Sequence, residues 1–297
     1  MRVSTIQIAE SSLLGVTEAF SRFDDAQRRV NTGKQVQKPS DDPSGVAQSL
    51  NFRERLSEID QFGRTMDQAK GFLATSESAL DSVSALLRQA RTIAVQGGSD
   101  NNSQETFQAL AGQIQNIITQ IGNIGNTSYG SRYVFAGQRT NAPPFVGAGR
   151  SFNYVGGTAL TGDGDLVLDI GRGEAMTVNV TGDTALSPAL AALTQLRDDL
   201  AMGQSALISQ NDIAALDTQI NNILSVRADM GAKVQRIDLT KQRNEMTKVN
   251  FTQFISNIED ADMPKAVVEM QTAQTAYQAA LASTARAFST SLLDFLK

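Results

Sequence analysis

Apolar side chains at Ile6, Ala9, Leu13, Val16, Phe20, Phe23 and Val30 follow one another at spacings of three and four, interrupted only where Gln27 takes a turn of the pattern. This seven-residue repeat lays one narrow apolar seam along a helix, the arrangement two helices use when they wind together. Asn31-Thr32-Gly33 ends it, because glycine readily takes the left-handed conformation that closes a helix. The loop that follows, Gln37-Lys38-Pro39-Ser40-Asp41-Asp42-Pro43-Ser44-Gly45, is dense in turn formers and cap residues. A second stripe at Leu56, Ile59, Met66, Leu73, Leu80, Val83, Leu87 and Ala94 predicts a long amphipathic helix over about 46–96, with Gly63 or Gly71 as places for a break. After the polar turn 97–102, Phe107, Leu110, Ile114, Ile117, Ile121 and Ile124 predict a third helix.

From residue 131 the pattern changes. Four short runs containing Tyr133, Tyr154, Val167 and Val178 are rich in β-branched and aromatic residues and are separated by glycine-rich turns, which predicts a small antiparallel β insert over 131–184. Helical spacing then resumes near residue 187 and runs unbroken to about 258. In the last segment Asp262 is placed to cap a helix and Pro264 to sit in its first turn. There Val267, Met270, Tyr277, Leu281, Phe288, Leu292 and Phe295 form a second seam. The two seams match in length, about 30 residues or roughly 45 Å each. The expected fold is therefore mainly α with a β insert: a long antiparallel helical bundle or coiled coil formed by both chain ends, with a small β domain mid-chain. The expected division is 1–45 with 259–297 as a terminal assembly region, 46–130 with 185–258 as a helical core, and 131–184 as the β domain.

Composition narrows the chemistry. The 297 residues are 41% apolar and 19% charged with a net charge of −5, enough apolar surface for a folded chain. The chain has no Cys, His or Trp, so thiol and imidazole catalysis and zinc fingers are out of reach. Carboxylate chemistry stays open, but adjacent Asp41 and Asp42 before Pro43 read as turn and cap residues. Asp163 and Asp165 resemble a fragment of a calcium loop, yet Arg172 stands where that loop needs its glutamate, so the stretch reads as a hairpin turn. No cofactor, metal or catalytic residue is expected. The start Met1-Arg2-Val3-Ser4-Thr5 lacks the pattern of a Sec-type signal, and no apolar run approaches the roughly 20 residues of a membrane helix. The acidic balance argues against nucleic acid and anionic membrane as partners.

Thr32-Gly33-Lys34 through Pro39-Ser40-Asp41-Asp42-Pro43-Ser44-Gly45 resembles the N-terminal signature of the flagellin superfamily, in which an Asp-Asp-Pro or Asp-Asp-Ala turn links the terminal helix to the core. Leu87-Arg88-Gln89-Ala90-Arg91 and its continuation to 96 are similar to the superfamily's long core helix. Ser256-Asn257-Ile258-Glu259-Asp260-Ala261-Asp262, with Gln278-Ala279-Ala280-Leu281, is similar to its C-terminal signature. The start of the chain, and Gly130-Ser131-Arg132-Tyr133-Val134-Phe135-Ala136-Gly137 followed by Pro143-Pro144-Phe145, resemble the members that join hook to filament. The resemblance implies a structural, non-enzymatic subunit of the extracellular bacterial flagellum, exported through the flagellar type III apparatus without a cleaved signal peptide. It implies a homo-oligomeric ring seated on the first hook-associated protein, with flagellin on the other side and a cytoplasmic export chaperone at the C-terminal helix. The alternative it leaves is a short flagellin. The expected assembly seam is the set of terminal positions named above, and the signature turn is Gly33, Pro39, Asp41, Asp42 and Pro43.

Overall fold

Gly33, at φ 67°, ends a first helix, α1 (Arg2–Thr32), by donating its amide to the Arg29 carbonyl at 2.9 Å. The computed structural model describes the backbone of residues 2–99, 101–147 and 151–295 and the side chains of 7, 10–99, 101–147 and 151–286. Helix α2 (Pro43–Gly97) starts on proline, whose missing N–H belongs to the unsatisfied first turn in any case. It runs without a break through Gly63 and Gly71. Gly71 has a packing reason to be glycine: a Cβ there would lie 2.4 Å from the Tyr129 hydroxyl, so the residue lets that ring approach the helix. Helix α3 (Gln104–Gly125) is capped by Ser103, whose hydroxyl accepts from the Thr106 amide.

Among the described residues the β insert consists of three separate antiparallel pairs. They are β1 (Ser128–Tyr129) with β2 (Arg132–Tyr133), β3 (Phe145–Val146) with β4 (Asn153–Tyr154), and β5 (Val167–Gly171) with β6 (Glu174–Thr177). Two strands not foreseen, β1 and β3, are only two residues long, too short for alternation to register. The Thr161–Asp165 stretch is a turn, but not that of a hairpin, since β4 pairs backwards with β3 and β5 forwards with β6. Its shape is set by Asp163, which accepts from the Thr158 amide and the Thr161 hydroxyl and pairs with Arg139.

A short helix α4 (Gly182–Ala185) leads into α5 (Ser187–Ala201). Here the structure departs from the expected unbroken helix. Gly203, at φ 72°, stops α5, and α6 (Ser205–Leu207) and a five-residue π-helix (Ile208–Asp212) turn the chain into α7 (Ile213–Glu259). Apolar spacing continues on both sides of the break, through Leu196 and Leu200 and then Ile213 and Leu216, which hides it from periodicity. Helix α8 (Met263–Phe295) begins as expected, with the Asp262 carboxylate accepting from the Lys265 amide at 3.2 Å.

The chain forms two compact units, residues 59–245 and residues 1–58 with 246–297, and α2 and α7 contribute to both. The first holds the large fully buried side chains, among them Met66, Leu80, Leu87, Ile117, Phe135 and Leu193. In the second, α1 packs against α8. Its buried apolar side chains among the described residues are only Ala26, Ile255 and Ala266. Leu80→Ala should lower stability by about 2–5 kcal/mol through lost burial and a residual cavity. Leu239→Ala, at an exposed site, should change it by less than about 0.5 kcal/mol, both read from urea unfolding followed by circular dichroism.

Candidate assembly site

The terminal unit brings part of the expected seam together. Phe20 and Phe23 of α1 both meet Tyr277 of α8, with ring centroids at 5.5 and 6.2 Å and the second pair parallel within 3°. Arg29 reaches Glu269 at 3.3 Å, so the partner number falls as the α1 number rises and the helices run antiparallel. Val16, Phe23, Val30, Val267, Met270 and Tyr277 are half-buried, whereas Leu13, Phe20 and Leu281 remain exposed, at 55, 51 and 42%. The side chains of Ile6, Phe288, Leu292 and Phe295 lie outside the described residues. Next to the seam Leu14 is 71% exposed. Val268 of α8, and Leu50, Met246, Val249 and Phe254 of the same unit, are exposed as well. Pairing of the two terminal helices therefore leaves apolar surface in water on both of them.

The signature turn is built from hydrogen bonds to its two carboxylates. Asp41 accepts from the Lys38 amide at 2.9 Å and the Gln37 amide at 3.1 Å, and these bonds hold it below the usual carboxylate range. Asp42 accepts from the Ser44 amide and hydroxyl at 3.1 and 2.8 Å, and its carbonyl takes the Val46 amide at 3.0 Å, which makes it the N-cap of α2 ahead of Pro43. Bonding to the backbone amide of Gly45 likewise holds its carboxyl below the usual carboxylate range. Gly45 is buried, and a Cβ there would meet Asp42 and Ile258 within 3.1 Å, so only glycine lets α2 start this close to the end of α7. Pro39 is exposed on the loop. The turn borders a polar cavity of about 530 Å³, lined by Arg28, Lys38, Asp41, Asp42 and Asn257 among others. Both aspartates are engaged as turn and cap acceptors, which leaves neither poised to exchange a proton near neutral pH.

A clasp that the sequence reading did not single out secures this turn. Lys34 forms an antiparallel bridge with Asp260. The Gln35 amide donates to the Glu259 carbonyl at 2.6 Å, and the Ala261 amide to the Gly33 carbonyl at 2.9 Å. The Glu259 carboxylate accepts from Arg53 at 2.8 and 3.0 Å, from Lys34 at 3.1 Å and from the Ser49 hydroxyl. Burial by itself would raise this carboxyl, but the bonds from Ser49, Arg53 and Lys34 outweigh it and hold the group down at about 2. Lys34 and Glu259 both sit inside stretches that carry the resemblance, yet they are 225 positions apart and no local spacing pairs them. Among the described residues no three acidic side chains gather into a metal-holding group, and no helix is long and apolar enough to cross a membrane.

Glu259→Gln should destabilise the terminal unit by about 1–3 kcal/mol, since it removes the charge that Arg53 pairs with and leaves Lys34 with Asp260 alone. Because the folded carboxyl titrates below its ordinary value of 4.5, its contribution is full above that pH and is lost as pH falls toward 2. Thermal melts between pH 5 and 2 should therefore slope more steeply for the wild type than for the Gln variant.

Comparison with known proteins places both helical ends of the chain in one family. Residues 3–140 match the bacterial flagellin N-terminal helical region and residues 213–296 the bacterial flagellin C-terminal helical region. The chain is 25% identical to flagellar hook-associated protein 3 of Escherichia coli over 306 residues, covering 94% of each chain. It is also 25% identical to a flagellin of Halalkalibacterium halodurans over 264 residues, covering 88% of this chain and 86% of that one. Its fold is similar to that of the flagellar junction protein FlgL from Legionella pneumophila, with a TM-score of 0.58 at 15% identity, over 72% of this chain and all of that one.

Proposed function

Since the chain belongs to the bacterial flagellin family through both its N-terminal and its C-terminal helical regions, we propose that it is the structural adaptor that joins the flagellar hook to the filament. The observation that carries an assembly role is the apolar surface left open on the paired terminal helices, with Leu13, Leu14, Phe20, Val268 and Leu281 exposed beside the Phe20–Phe23–Tyr277 contact. A unit whose buried apolar side chains, among the described residues, are Ala26, Ile255 and Ala266 gains most when neighbouring subunits cover that surface. The end-to-end match to a hook-associated protein 3 supports the junction in preference to the filament.

In this reading the expected seam and turn residues are the assembly site. The subunit leaves the cell through the flagellar type III apparatus, the C-terminal helix kept from aggregation by a cytoplasmic chaperone. It then forms a ring on the first hook-associated protein and seats flagellin. A short flagellin is the second reading, favoured by the match to the Halalkalibacterium protein over most of both chains.

Antibody labelling of isolated flagella in the electron microscope separates the two. A narrow band between hook and filament is the expected result, whereas continuous label along the filament would make the chain a flagellin. Leu14→Glu should leave the monomer's stability within about 0.5 kcal/mol of the wild type, because the side chain is 71% exposed. In an otherwise deleted strain the same variant should reduce the fraction of hooks bearing filaments at least about tenfold, the loss expected when a charge enters a packed apolar contact.

A further inference from the structure

Two carboxylates in the 59–245 unit have no place in the assembly reading. Asp199, in the last turn of α5, and Asp212, at the end of the π-helix, are 3 and 4% exposed. Leu196 and Leu200 on α5, and Ile208 and Leu216 around the π-helix, are all fully buried, so apolar side chains flank both carboxylates along the chain. The carboxyl groups of Asp199 and Asp212 lie within hydrogen-bonding reach of each other. The Asp199 carboxylate accepts one bond from the Gln195 amide at 2.9 Å, while Oδ2 of Asp212 is buried without a donor.

The arginines of the surrounding elements have partners of their own. Arg197 of α5 binds Asp198 at 2.7 Å, Arg91 of α2 binds Asp217 of α7 at 2.5 Å, and Arg88 of α2 binds the Ser84 hydroxyl at 2.7 Å. The one ionisable group on α3 is Glu105, which is exposed, and α6 has none. Two buried carboxylates that face each other repel unless a proton joins them.

We propose that the corner between α5 and α7 is a proton-operated latch, in which Asp199 and Asp212 share one proton when it is closed and separate when the proton leaves. The chain is built to yield there. Gly203 takes a left-handed conformation between the two elements, and the π-helix is a wound turn whose register an α-helix would not keep. Burial first, and the Asp199 charge second, push the Asp212 carboxyl up to about 6 from 3.8, so the folded corner holds its proton more tightly than the unfolded chain does. The latch is therefore closed on the acid side, weakens as pH rises through about 6, and is fully released above about 7. This inference does not depend on where in the flagellum the subunit sits.

The test uses the full chain. Local opening is read by amide exchange across 199–212, corrected for the intrinsic pH dependence of exchange, and global stability by thermal melts from pH 5 to 8. The wild type should open about tenfold more readily at pH 8 than at pH 5 relative to an uncoupled carboxyl. Asp212→Asn supplies a permanent donor and should abolish that dependence, leaving the corner tighter than wild type at pH 8. If the variant does not fold, the carboxyl carbon shift of Asp212 in the wild type, followed by NMR, must titrate near pH 6. A titration near 4, or a wild-type slope retained in Asp212→Asn, would overturn the latch. Restoration of wild-type protection at pH 8 by millimolar magnesium or calcium would also overturn it, because a metal ion would then be the linking group.

Discussion

Glu259 holds together three backbone segments that apolar burial leaves loosely tied. Its carboxylate gathers Lys34 from the turn after α1 and Ser49 and Arg53 from the first turns of α2, while its own carbonyl takes the Gln35 amide. A half-exposed ion pair contributes little by itself. This one differs because the carboxylate is mostly buried, accepts from three side chains at once, and sits where α7 gives way to the chain that enters α8. The direction in which α1 and α8 leave that point rests on it, and with it the contact of Phe20 and Phe23 with Tyr277.

The two units solve the problem of stability differently. Residues 59–245 bury a continuous apolar cluster contributed by α2, α3, α5 and α7 and by the β insert, and so can stand on packing. The terminal unit relies instead on capping, on the turn bonds of Asp41 and Asp42, and on the Glu259 clasp, and it presents Leu13, Leu14, Phe20 and Val268 to water. That division suits the proposed role: polar bonds set the geometry of the terminal helices in one subunit, and apolar surface is kept for contacts with others.

Carboxylates are used in opposite senses in the two units. Glu259 is surrounded by donors and stays charged down to strongly acid pH, whereas Asp212 is buried facing another carboxylate and holds its proton up to about 6. The first favours folding at neutral pH and the second on the acid side, so the two ends of the pH scale probe different parts of one chain.

The sequence by itself determined what depends on neighbours in the chain. Apolar spacing located α1, α2, α3 and α8, since a helix exposes its pattern every three or four residues. Gly33, Asp42, Pro43 and Asp262 marked helix ends because their conformational and capping preferences act within a few residues. The two seams were legible as stripes, but which of their residues touch was not: Phe20, Phe23 and Tyr277 meet while Leu13 and Leu281 face water. Only the tertiary structure decided the break at Gly203, where apolar spacing continues across a turn, and the pairing of strands as short as two residues. It alone decided the Glu259 clasp and the Asp199–Asp212 pair as well. The clasp joins residues 206 to 225 positions apart, and a contact at such range is fixed by how helices pack rather than by anything periodic along the chain.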